Sequence, residues 1–400
     1  MPIERKRMHI LIIPSWYPEH PDDVNGIFFR QQVQALQRAG LKTGVIAPQF
    51  RSLRGEPKSL LTGAYGFRQY TDEGVPTYAY QSMYFFPRLP YLDRHRWLRA
   101  GYRLFERYVR DHGMPELIHA HSMNHAGILA AQIAQKNGIP FVLTEHSSTY
   151  ARGLIRSWQR PAMQQAAERC AARIAVSRDF CSLLQREYDG LGWHYIPNSL
   201  APAFAAGFDS GEHENRTGFT FCSVANLNEN KGFDVLLNAF ALTLEKQPQL
   251  KLAIGGSGVL ETRLRTQAAD LGISGAVDFL GALTHEGVLQ LMRRSDAFVL
   301  ASRNETFGLV FAEALSQGLP VAGTLCGGAQ TVVGADDGIL VPVGDAAALA
   351  AAMVEIYENR SRYPTADLRR NCLNRFGEAA VVGQLLETYR RVLQSGRKAV

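Results

Sequence analysis

Short apolar runs alternate with helical patterns along the whole chain, and this alternation restricts the fold more than any other feature. In the first half, short β-type runs are separated by longer segments of helical periodicity. The predicted strands are 9–13, 43–47, 116–120, 140–143 and 173–177, and the predicted helices include 28–39 and 126–136. Because parallel strands require crossover connections, which helices usually provide, the pattern predicts a doubly wound α/β domain.

The second half repeats this arrangement. Its predicted strands are 219–224, 251–254, 277–279, 297–300 and 320–322, and its predicted helices are 233–245, 260–271, 307–317 and 346–357. A chain of 400 residues with 46% hydrophobic residues is too long for one compact core. We therefore expect two Rossmann-like α/β domains that face each other across a cleft, over residues 1–200 and 201–375, with 201–218 as the linker. Residues 376–400 are expected to form a helix that packs back on the first domain.

Two acidic residues, Glu305 and Glu313, lie eight positions apart in the second half of the chain. On one continuous helix, about 12 Å of rise and about 80° of rotation would separate their Cα atoms, so they cannot flank one bond as a glycosidase pair does. Because Gly308 interrupts the segment, we expect Glu305 in a loop and Glu313 in the following helix. The amides of Phe307, Gly308 and Leu309 would then face a ligand near the positive end of the helix dipole. The alternative is that both glutamates only stabilise that dipole.

Ligands of doubly wound sheets bind at the carboxyl ends of the strands, so residues in the strand-to-helix loops are candidates for binding. Gly26 opens a predicted helix whose N-terminus favours a phosphate, and Lys231 at another such junction is placed to neutralise a diphosphate. His121 and His146 follow strands and are candidates for hydrogen bonds to a substrate. A plain turn, a solvated lysine and buried histidines are the alternatives. With His119, these histidines lack the cysteine or acidic partner that would complete a zinc site.

Two glycine clusters also follow predicted strands. Gly255-Gly256-Ser257-Gly258 does not complete the dinucleotide motif GxGxxG, and no P-loop motif occurs in the chain. This cluster and Gly327-Gly328 are equally consistent with ligand contact and with ordinary turns.

Eight short motifs follow one another along the chain. They are Asn25-Gly26, Ile118-His119-Ala120-His121, Thr144-Glu145-His146, Ile196-Pro197-Asn198, Lys231-Gly232-Phe233, the pair Glu305 and Glu313, Cys326-Gly327-Gly328, and Gly338-Ile339-Leu340-Val341-Pro342. In their order and spacing, the chain resembles glycosyltransferase family 4, the group 1 glycosyltransferases of GT-B fold, over essentially its whole length. The resemblance implies a retaining enzyme with a nucleotide sugar as co-substrate and with neither a metal nor another cofactor. No Asp-x-Asp motif occurs, which agrees with metal independence.

The resemblance also implies that the first domain, 1–200, binds the acceptor and that the second, 201–375, binds the nucleotide-sugar donor. It further implies roles for the donor-binding residues. Gly26 would lie beside the donor diphosphate, and Lys231 would neutralise it. Glu305, with the amides of residues 307–309, would bind the transferred sugar, and Glu313 would hold the ribose hydroxyls.

Other implied roles concern the reacting centre and the departures from the family pattern. His121 would contact the sugar near the reacting carbon, so His121 and Glu305 are the predicted catalytic residues. His146 and Asn198 are candidate contacts to the acceptor or the sugar. Asn226 stands where most relatives have a diphosphate-binding arginine, and we expect it to bind the donor by hydrogen bonding only. Ala329 follows the Gly-Gly pair where an acidic residue is common, which leaves the donor sugar open.

The net charge of +6 is concentrated in the first half of the chain. Residues 88–110 contain seven arginines, and a helix from about Asp93 places most of them opposite its aromatic and aliphatic residues. The predicted basic side contains Arg96, Arg99, Arg103, Arg107 and Arg110. Such a helix suits an anionic membrane surface, and the alternative is a packed helix with a solvated basic face. No nucleic-acid recognition motif accompanies the charge, so no nucleic-acid partner is expected.

The location of the protein is predicted from what interrupts its apolar runs. No run approaches 18 uninterrupted apolar residues, and the first one ends at Pro14 before it reaches the length of a signal peptide. The five cysteines are scattered and lack zinc spacing, which fits a reducing compartment. We expect a cytoplasmic protein, either free or peripheral at the inner face of the cytoplasmic membrane.

Together these features predict a retaining glycosyltransferase of the hexosyltransferase class (EC 2.4). It would move a sugar from a UDP- or GDP-linked donor to a saccharide or lipid-linked acceptor, for example a polyprenyl-linked acceptor, in bacterial polysaccharide or glycolipid biosynthesis. Two alternatives stay open. One is a sugar-nucleotide epimerase of GT-B fold, and the other is a catalytically degenerate sugar-nucleotide-binding subunit, which the asparagine at position 226 suggests.

Overall fold

The computed structural model describes residues 7–18, 26–52, 65–207 and 218–397. The chain forms two compact units. The first contains residues 1–176, 181–196 and 382–400, and the second contains residues 177–180 and 197–381. The chain therefore leaves the first unit near residue 196 and returns to it at Val382. The sequence pattern predicted these two domain boundaries at residues 200 and 375.

The first unit is built on an eight-stranded sheet with the strand order β3-β4-β2-β1-β5-β6-β7-β8. Its strands are β1 (His9–Pro14), β2 (Lys42–Arg51), β3 (Gly66–Asp72), β4 (Val75–Met83), β5 (Leu117–His121), β6 (Phe141–Glu145), β7 (Ala172–Ala175) and β8 (His194–Tyr195). All neighbours pair in parallel except β3 and β4, which form an antiparallel hairpin. Every residue of β1 is buried, as expected for a parallel strand covered on both faces. The strand order reverses between β1 and β5.

The hairpin of β3 and β4 was missed by the sequence pattern. Its turn contains Glu73 and Gly74, which both have positive φ, and such residues match the right-handed twist of paired strands. The side chains of β3 alternate between half-buried and exposed positions, as those of an edge strand do. The sequence prediction searched for strands separated by helices, and two antiparallel strands joined by a short turn do not show that pattern.

The helices of the first part of the chain follow the parallel strands. They are α1 (Ile27–Arg38), α2 (Pro90–His112), α3 (Ile128–Asn137), α4 (Arg160–Arg169) and α5 (Arg178–Glu187). Helix α2 begins three residues before the predicted start at Asp93, because proline is well tolerated in the first turn. Arg96, predicted on the exposed basic side, is instead half-buried and donates hydrogen bonds to Met83 O and Asp93 Oδ1. The other four arginines of the predicted side are exposed.

The second unit has a six-stranded, fully parallel sheet with the order β11-β10-β9-β12-β13-β14. Its strands are β9 (Thr220–Val224), β10 (Lys251–Gly255), β11 (Val277–Gly281), β12 (Ala297–Leu300), β13 (Val321–Thr324) and β14 (Gly338–Val341). Counted within this unit, the order is 3-2-1-4-5-6, that of dinucleotide-binding Rossmann folds. The strand order reverses between β9 and β12, so this is where such a sheet binds its ligand.

The remaining helices complete the second unit and return the chain to the first. They are α6 (Pro202–Ala205), α7 (Phe233–Lys246), α8 (Glu261–Asp270), α9 (His285–Arg293), α10 (Leu309–Ser316), α11 (Gly328–Val332), α12 (Ala346–Glu358), α13 (Thr365–Phe376) and α14 (Glu378–Arg397). Helix α6 lies in the segment predicted as a linker, of which residues 208–217 lie outside the described residues. In the first unit, Tyr389 of α14 hydrogen-bonds His119 of β5, with 2.6 Å between its hydroxyl oxygen and Nδ1.

Candidate active site

Two predicted donor-binding residues meet where the strand order of the second sheet reverses. Lys231 lies in the loop after β9 and Glu305 in the loop after β12, and 2.6 Å separates Lys231 Nζ from Glu305 Oε1. Ser302 also donates a hydrogen bond to Glu305 Oε1, with an oxygen–oxygen distance of 2.7 Å. Both charged side chains are largely buried, with 23% and 12% of their surfaces exposed. The structure thus forms a charged pair at the edge of the sheet where ligands of this fold bind.

Backbone packing holds these two loops together. Arg303 N donates to Asn230 O at 2.7 Å, and Asn230 Nδ2 donates to Asn304 O at 2.9 Å. Gly232 has a φ of 64°, and a Cβ there would lie only 1.9 Å from Ala301 O. Only glycine permits this approach. The position of Lys231 beside Glu305 therefore depends on the glycine that follows the lysine.

A third loop, from β13, supports Glu305 from the other side. Glu305 N donates to Cys326 O at 2.8 Å, and Gly328 N donates to Glu305 O at the same distance. A Cβ on Gly328 would lie 2.4 Å from Phe307 N. Close backbone packing thus accounts for Gly328, whose role the sequence left open.

The amides of Phe307, Gly308 and Leu309 lie at the start of α10. The helix begins at Leu309, two residues after the predicted start, because Gly308 has a left-handed conformation with a φ of 82° and forms the N-cap. The first amides of a helix have no acceptor within it, and they lie at the positive end of its dipole. Phe307 is buried. Leu309 N therefore lies at the positive end of the helix, with the amides of Gly308 and Phe307 just before it, and their contact with a ligand stays a prediction.

Glu313 lies in the second turn of α10, and Glu305 lies in the preceding loop, as the sequence predicts. The Glu313 side chain is buried, and this burial raises the pKa of its carboxyl to about 7. A carboxyl that titrates near neutrality is typical of functional sites. Its place beyond the first turn also argues against a role limited to the helix dipole.

The loop that contains Asn226 is held by the glycine cluster after β10. A Cβ on Gly256 would lie 2.0 Å from Ala225 O, and one on Gly258 would lie 2.3 Å from Leu227 O. These glycines are therefore explained by backbone packing without any ligand. Asn226 is exposed at the tip of the loop, so its predicted contact with the donor stays a prediction.

The predicted histidines of the first unit form one buried group. His121 ends β5, and 3.1 Å separates its Nδ1 from Nε2 of His146. The ring of Phe29 in α1 lies with its centroid 5.0 Å from each of these two histidine rings. Burial lowers the pKa of His119 to about 3 and that of His121 well below its ordinary value. The imidazoles of His119 and His121 are therefore neutral at physiological pH.

Gly26, the predicted diphosphate contact of this unit, forms the N-cap of α1 in a left-handed conformation. A Cβ there would lie 3.0 Å from Trp16 Cδ1, so the site is tight as well as conformationally restricted. Asn25 lies outside the described residues. Asn198 belongs to the second unit, in the segment between β8 and α6. The structure thus brings Gly26, His121 and His146 into the first unit, and Lys231, Glu305, Glu313 and the amides into the second.

Two polar residues near these sites were missed by the sequence analysis. Ser302 binds Glu305, but a serine after a strand carries no distinctive signal. Glu145, within the motif Thr144-Glu145-His146, ends β6 and is fully buried. A carboxylate within a buried strand is unusual, and this is the signal by which the sequence could have identified Glu145 as a candidate functional residue.

Metal-binding clusters and membrane-spanning helices are absent from the described part of the chain. It contains no group of three or more histidine, cysteine, aspartate or glutamate side chains that could hold a metal ion. Within the same residues, no helix is both long enough and apolar enough to cross a bilayer.

Comparison with known proteins gives two family matches that together span most of the chain. Residues 26–203 match the family described as Glycosyltransferase Family 4, and residues 208–376 match the family described as Glycosyl transferases group 1. The chain is 30% identical over 296 residues to a phosphatidyl-myo-inositol mannosyltransferase of Mycobacterium leprae, covering 71% of this chain and 75% of that protein. It is 28% identical over 373 residues to TuaC of Bacillus subtilis, which is named as a teichuronic acid biosynthesis glycosyltransferase, covering 88% and 90% of the two chains.

A solved structure gives a comparison of the fold. HepE of Anabaena, in a crystal structure with UDP, is similar with a TM-score of 0.72 at 20% identity, covering 96% of this chain and all of that one. The predicted GT-B fold, with two Rossmann-like α/β units, is confirmed.

Proposed function

Because the chain belongs to glycosyltransferase family 4, the group 1 glycosyltransferases, we propose that it transfers a sugar from a UDP- or GDP-linked donor with retention of anomeric configuration. The enzyme class, EC 2.4, and the family are those that the sequence predicts. The observation that supports the proposal is the cluster of Lys231, Glu305 and Ser302 at the point where the strand order of the second sheet reverses.

The charges of this cluster suit a nucleotide sugar. A donor diphosphate would attract the Lys231 ammonium away from Glu305 and leave the carboxylate to accept hydrogen bonds from sugar hydroxyls. The same ammonium would stabilise the negative charge that grows on the leaving diphosphate. Glu313 would hold the ribose hydroxyls. His121, which is neutral, would not repel the positive charge that develops at the reacting carbon.

The relatives support the class of pathway. One is a phosphatidyl-myo-inositol mannosyltransferase and another is named for teichuronic acid biosynthesis, so we place this enzyme in bacterial glycolipid or polysaccharide biosynthesis. A saccharide or lipid-linked acceptor is consistent with both names. The crystal structure of HepE contains UDP, which supports a UDP-linked donor for a fold of this kind.

Contact with an anionic membrane is part of the proposal. Four large apolar side chains between β4 and the first turn of α2 are exposed to between 40% and 53%, namely Phe85, Phe86, Leu89 and Tyr91. Arg88 is exposed within this segment, and the exposed arginines of α2, from Arg99 to Arg110, lie further along the helix. Apolar side chains beside arginines are the combination that enters the headgroup region of an anionic bilayer. The opposite face of α2 packs on the protein.

Sedimentation with lipid vesicles tests the membrane contact. We expect binding to vesicles that contain phosphatidylglycerol and little binding to vesicles of phosphatidylcholine alone. The double variant Phe85→Ser, Phe86→Ser should release the protein, whereas Val259→Ser, which removes a side chain that is 90% exposed elsewhere, should not. Equal binding to both kinds of vesicle would contradict the electrostatic part of the proposal.

Turnover of a panel of UDP- and GDP-sugars tests the reaction itself. We expect release of free nucleotide with a set of saccharide and polyprenyl-phosphate acceptors, and an anomeric configuration in the product that matches the donor by NMR. Lys231→Ala should lower kcat/KM by about 100-fold or more. The control Lys251→Ala, whose ammonium binds only Gly275 O among the described groups, should leave it unchanged.

The same assay separates the alternatives. An epimerised nucleotide sugar without free nucleotide would establish the epimerase, and tight donor binding without turnover would establish the degenerate subunit. Within the transferase, Glu313→Ala should weaken donor binding and Glu305→Ala should mainly lower kcat. Equal effects of the two variants on both parameters would contradict this division of roles.

A further inference from the structure

Side-chain contacts within the first unit connect helix α14 to the predicted catalytic histidine. The Tyr389 hydroxyl oxygen lies 2.6 Å from Nδ1 of His119. The ring of His119 lies beside that of His121, with 4.2 Å between the ring centroids and 35° between the ring planes. Tyr389 and both histidines are fully buried. Helix α14 therefore reaches the ring of His121 through one intervening side chain.

The geometry of β5 explains why the two histidines are neighbours. Side chains two positions apart in a strand lie on the same face of the sheet, so His119 and His121 share one face. Strand β5 pairs with β1 on one side and with β6 on the other, and all five of its residues are buried. Such a strand usually contains apolar residues, because a buried polar side chain requires a hydrogen-bond partner. Both histidines therefore depend on the partners that surround them.

His119 is held at both nitrogens of its ring. Nδ1 bonds Tyr389, and Nε2 lies 2.8 Å from Oγ1 of Thr144 in β6. A neutral imidazole has one donor and one acceptor nitrogen, so one of these hydroxyls donates to the ring and the other accepts from it. Burial lowers the pKa of His119 to about 3, so the ring stays neutral at physiological pH. Two bonds on opposite sides of the ring fix both its position and its rotation.

The stability of the fold does not require this polar arrangement. When apolar groups of the same shape replace both partners of a buried hydrogen bond, the change in stability is close to zero. A fully bonded polar network instead gives its members a unique orientation. Because His119 has no exposed surface, it can act on a ligand only through a neighbour, and the histidine in ring contact with it is His121.

His121 is the residue whose orientation these contacts determine. Besides the contact with His119, its ring lies 5.0 Å from the ring of Phe29, and its Nδ1 lies 3.1 Å from Nε2 of His146. Catalytic side chains must be held within about 0.5 Å of the productive geometry by neighbours that are themselves fixed. We infer that Tyr389 is a positioning residue for sugar transfer, because it fixes the ring of His119, which in turn fixes the ring of His121. The inference rests on the proposed transferase function and on the predicted catalytic role of His121.

The first unit contains a matched control for the tyrosine. The Tyr108 hydroxyl oxygen of α2 lies 2.7 Å from Nε2 of His9, and Tyr108 is also fully buried. His9 begins β1, whereas Pro14, which pairs with His121, ends it. Tyr108→Phe therefore removes a hydrogen bond of the same kind at the opposite end of the neighbouring strand. Tyr389→Phe likewise removes only a hydroxyl and keeps the packed ring.

Steady-state kinetics with a nucleotide sugar that the wild-type chain turns over provide the first test. Tyr389→Phe should lower kcat by about tenfold or more, because a small misplacement of a catalytic group is costly. The KM for the donor should stay unchanged, since the predicted donor-binding residues are not altered. Tyr108→Phe should change neither parameter.

A second pair of variants tests the other hydroxyl that holds His119. Thr144→Val replaces the hydroxyl by a methyl group of similar size and should lower kcat as Tyr389→Phe does. Thr144→Ser keeps the hydroxyl and should restore kcat to the wild-type value. Loss in the first variant without recovery in the second would contradict a role for the hydrogen bond to His119.

NMR of the full chain with isotope-labelled histidine tests the contacts without turnover. The ring resonances of His121, assigned by their loss in His121→Gln, should shift or broaden in Tyr389→Phe, because the neighbouring ring of His119 is then free to rotate. The same resonances should keep their positions in Tyr108→Phe, where those of His9 should change instead. The midpoint of urea unfolding should fall by similar amounts in the two variants, since each loses one buried hydrogen bond.

The outcomes separate this inference from the proposed function. If Tyr389→Phe and Tyr108→Phe lower kcat equally, or if Tyr389→Phe leaves the His121 resonances unchanged, the inference is wrong. If the wild-type chain transfers sugar and Tyr389→Phe retains full kcat, the inference is also wrong and the transferase stands. Resonances of His121 that shift in Tyr389→Phe, in a chain that transfers no sugar, would overturn the proposed function and support the positioning of His121 by Tyr389.

Discussion

At the residue scale, one glycine sets the position of the charged pair in the second unit. Gly232→Ala would place a Cβ 1.9 Å from Ala301 O in a left-handed conformation, so we expect a loss of about 2–4 kcal/mol in the unfolding free energy of that unit. The matched control is Gly272→Ala, which has a similar φ of 71° and no atom within 4 Å of a Cβ. Its cost should be about 1 kcal/mol, measured by denaturant unfolding. Equal costs would show that the contact with Ala301 is not tight.

A second residue-scale prediction concerns the titration of Glu313. Burial raises its pKa to about 7 from the value of 4.5 expected in the unfolded chain, so the folded state holds a proton that the unfolded state releases. The contribution of Glu313 to stability is therefore present below pH 4.5 and is lost as the pH rises through 7, by up to about 3 kcal/mol.

Measuring the free energy of unfolding as a function of pH tests the predicted direction of this change. The difference in unfolding free energy between wild type and Glu313→Gln should change by that amount between pH 4.5 and 8, in favour of the variant at high pH. The exposed Glu286→Gln should show no such change. A difference that is independent of pH would mean that Glu313 is ionised in the folded chain.

The sequence located these residues but not the reasons for their positions. Lys231 and Glu305 were predicted at one site because both follow strands of a parallel sheet, and that edge is fixed by topology. The contact with Ser302 and the packing of Gly256 against Ala225 depend on distances between loops far apart in the sequence, which no local pattern contains.

At the scale of elements, Asp93 joins the exposed apolar segment to the basic helix. Its carboxylate is buried in the first turn of α2 and accepts hydrogen bonds from the amides of Phe85 and Phe86 at 3.1 and 2.7 Å, as well as one from Arg96. The segment before the helix is thus held with its aromatic side chains outward. The sequence predicted the helix and its packed face but not this attachment, since an aspartate near a helix start is also a common solvated residue.

Asp93→Asn should loosen this attachment. We expect a loss of about 2 kcal/mol in the stability of the first unit and faster hydrogen exchange at the amides of Phe85 and Phe86, because charge-assisted bonds are replaced by weaker ones. Glu106→Gln, an exposed residue on the same helix, should change neither quantity. Unchanged exchange in the first variant would show that other contacts hold the segment.

At the scale of the whole molecule, the two units share a design in which the strand order reverses at the candidate site. In the first sheet this happens between β1 and β5, and in the second between β9 and β12. The repeated strand and helix pattern was enough to predict both sheets. This pattern did not predict the hairpin of β3 and β4, because antiparallel strands are joined by a short turn and not by a crossover helix.

Nucleotide binding should therefore protect the second unit selectively. With UDP or GDP at about 100 times its dissociation constant, we expect that unit to gain about 2.7 kcal/mol, and hydrogen exchange to slow in residues 225–233 and 301–313. The hairpin of β3 and β4 in the first unit, where no donor contact is predicted, serves as the internal control. Lys231→Ala should abolish the protection, and protection confined to the first unit would contradict the assignment of the donor site.

The hydrogen bond between Tyr389 and His119 also has a consequence for how the protein is made. The two residues are 270 positions apart, and both are fully buried in the first unit. During synthesis, domains usually fold in the order in which they leave the ribosome. Here the unit that emerges first acquires its closing helix only after the entire second unit has been translated, so it spends the rest of translation without the partner of His119. Completion of the first unit thus depends on prior synthesis of the second.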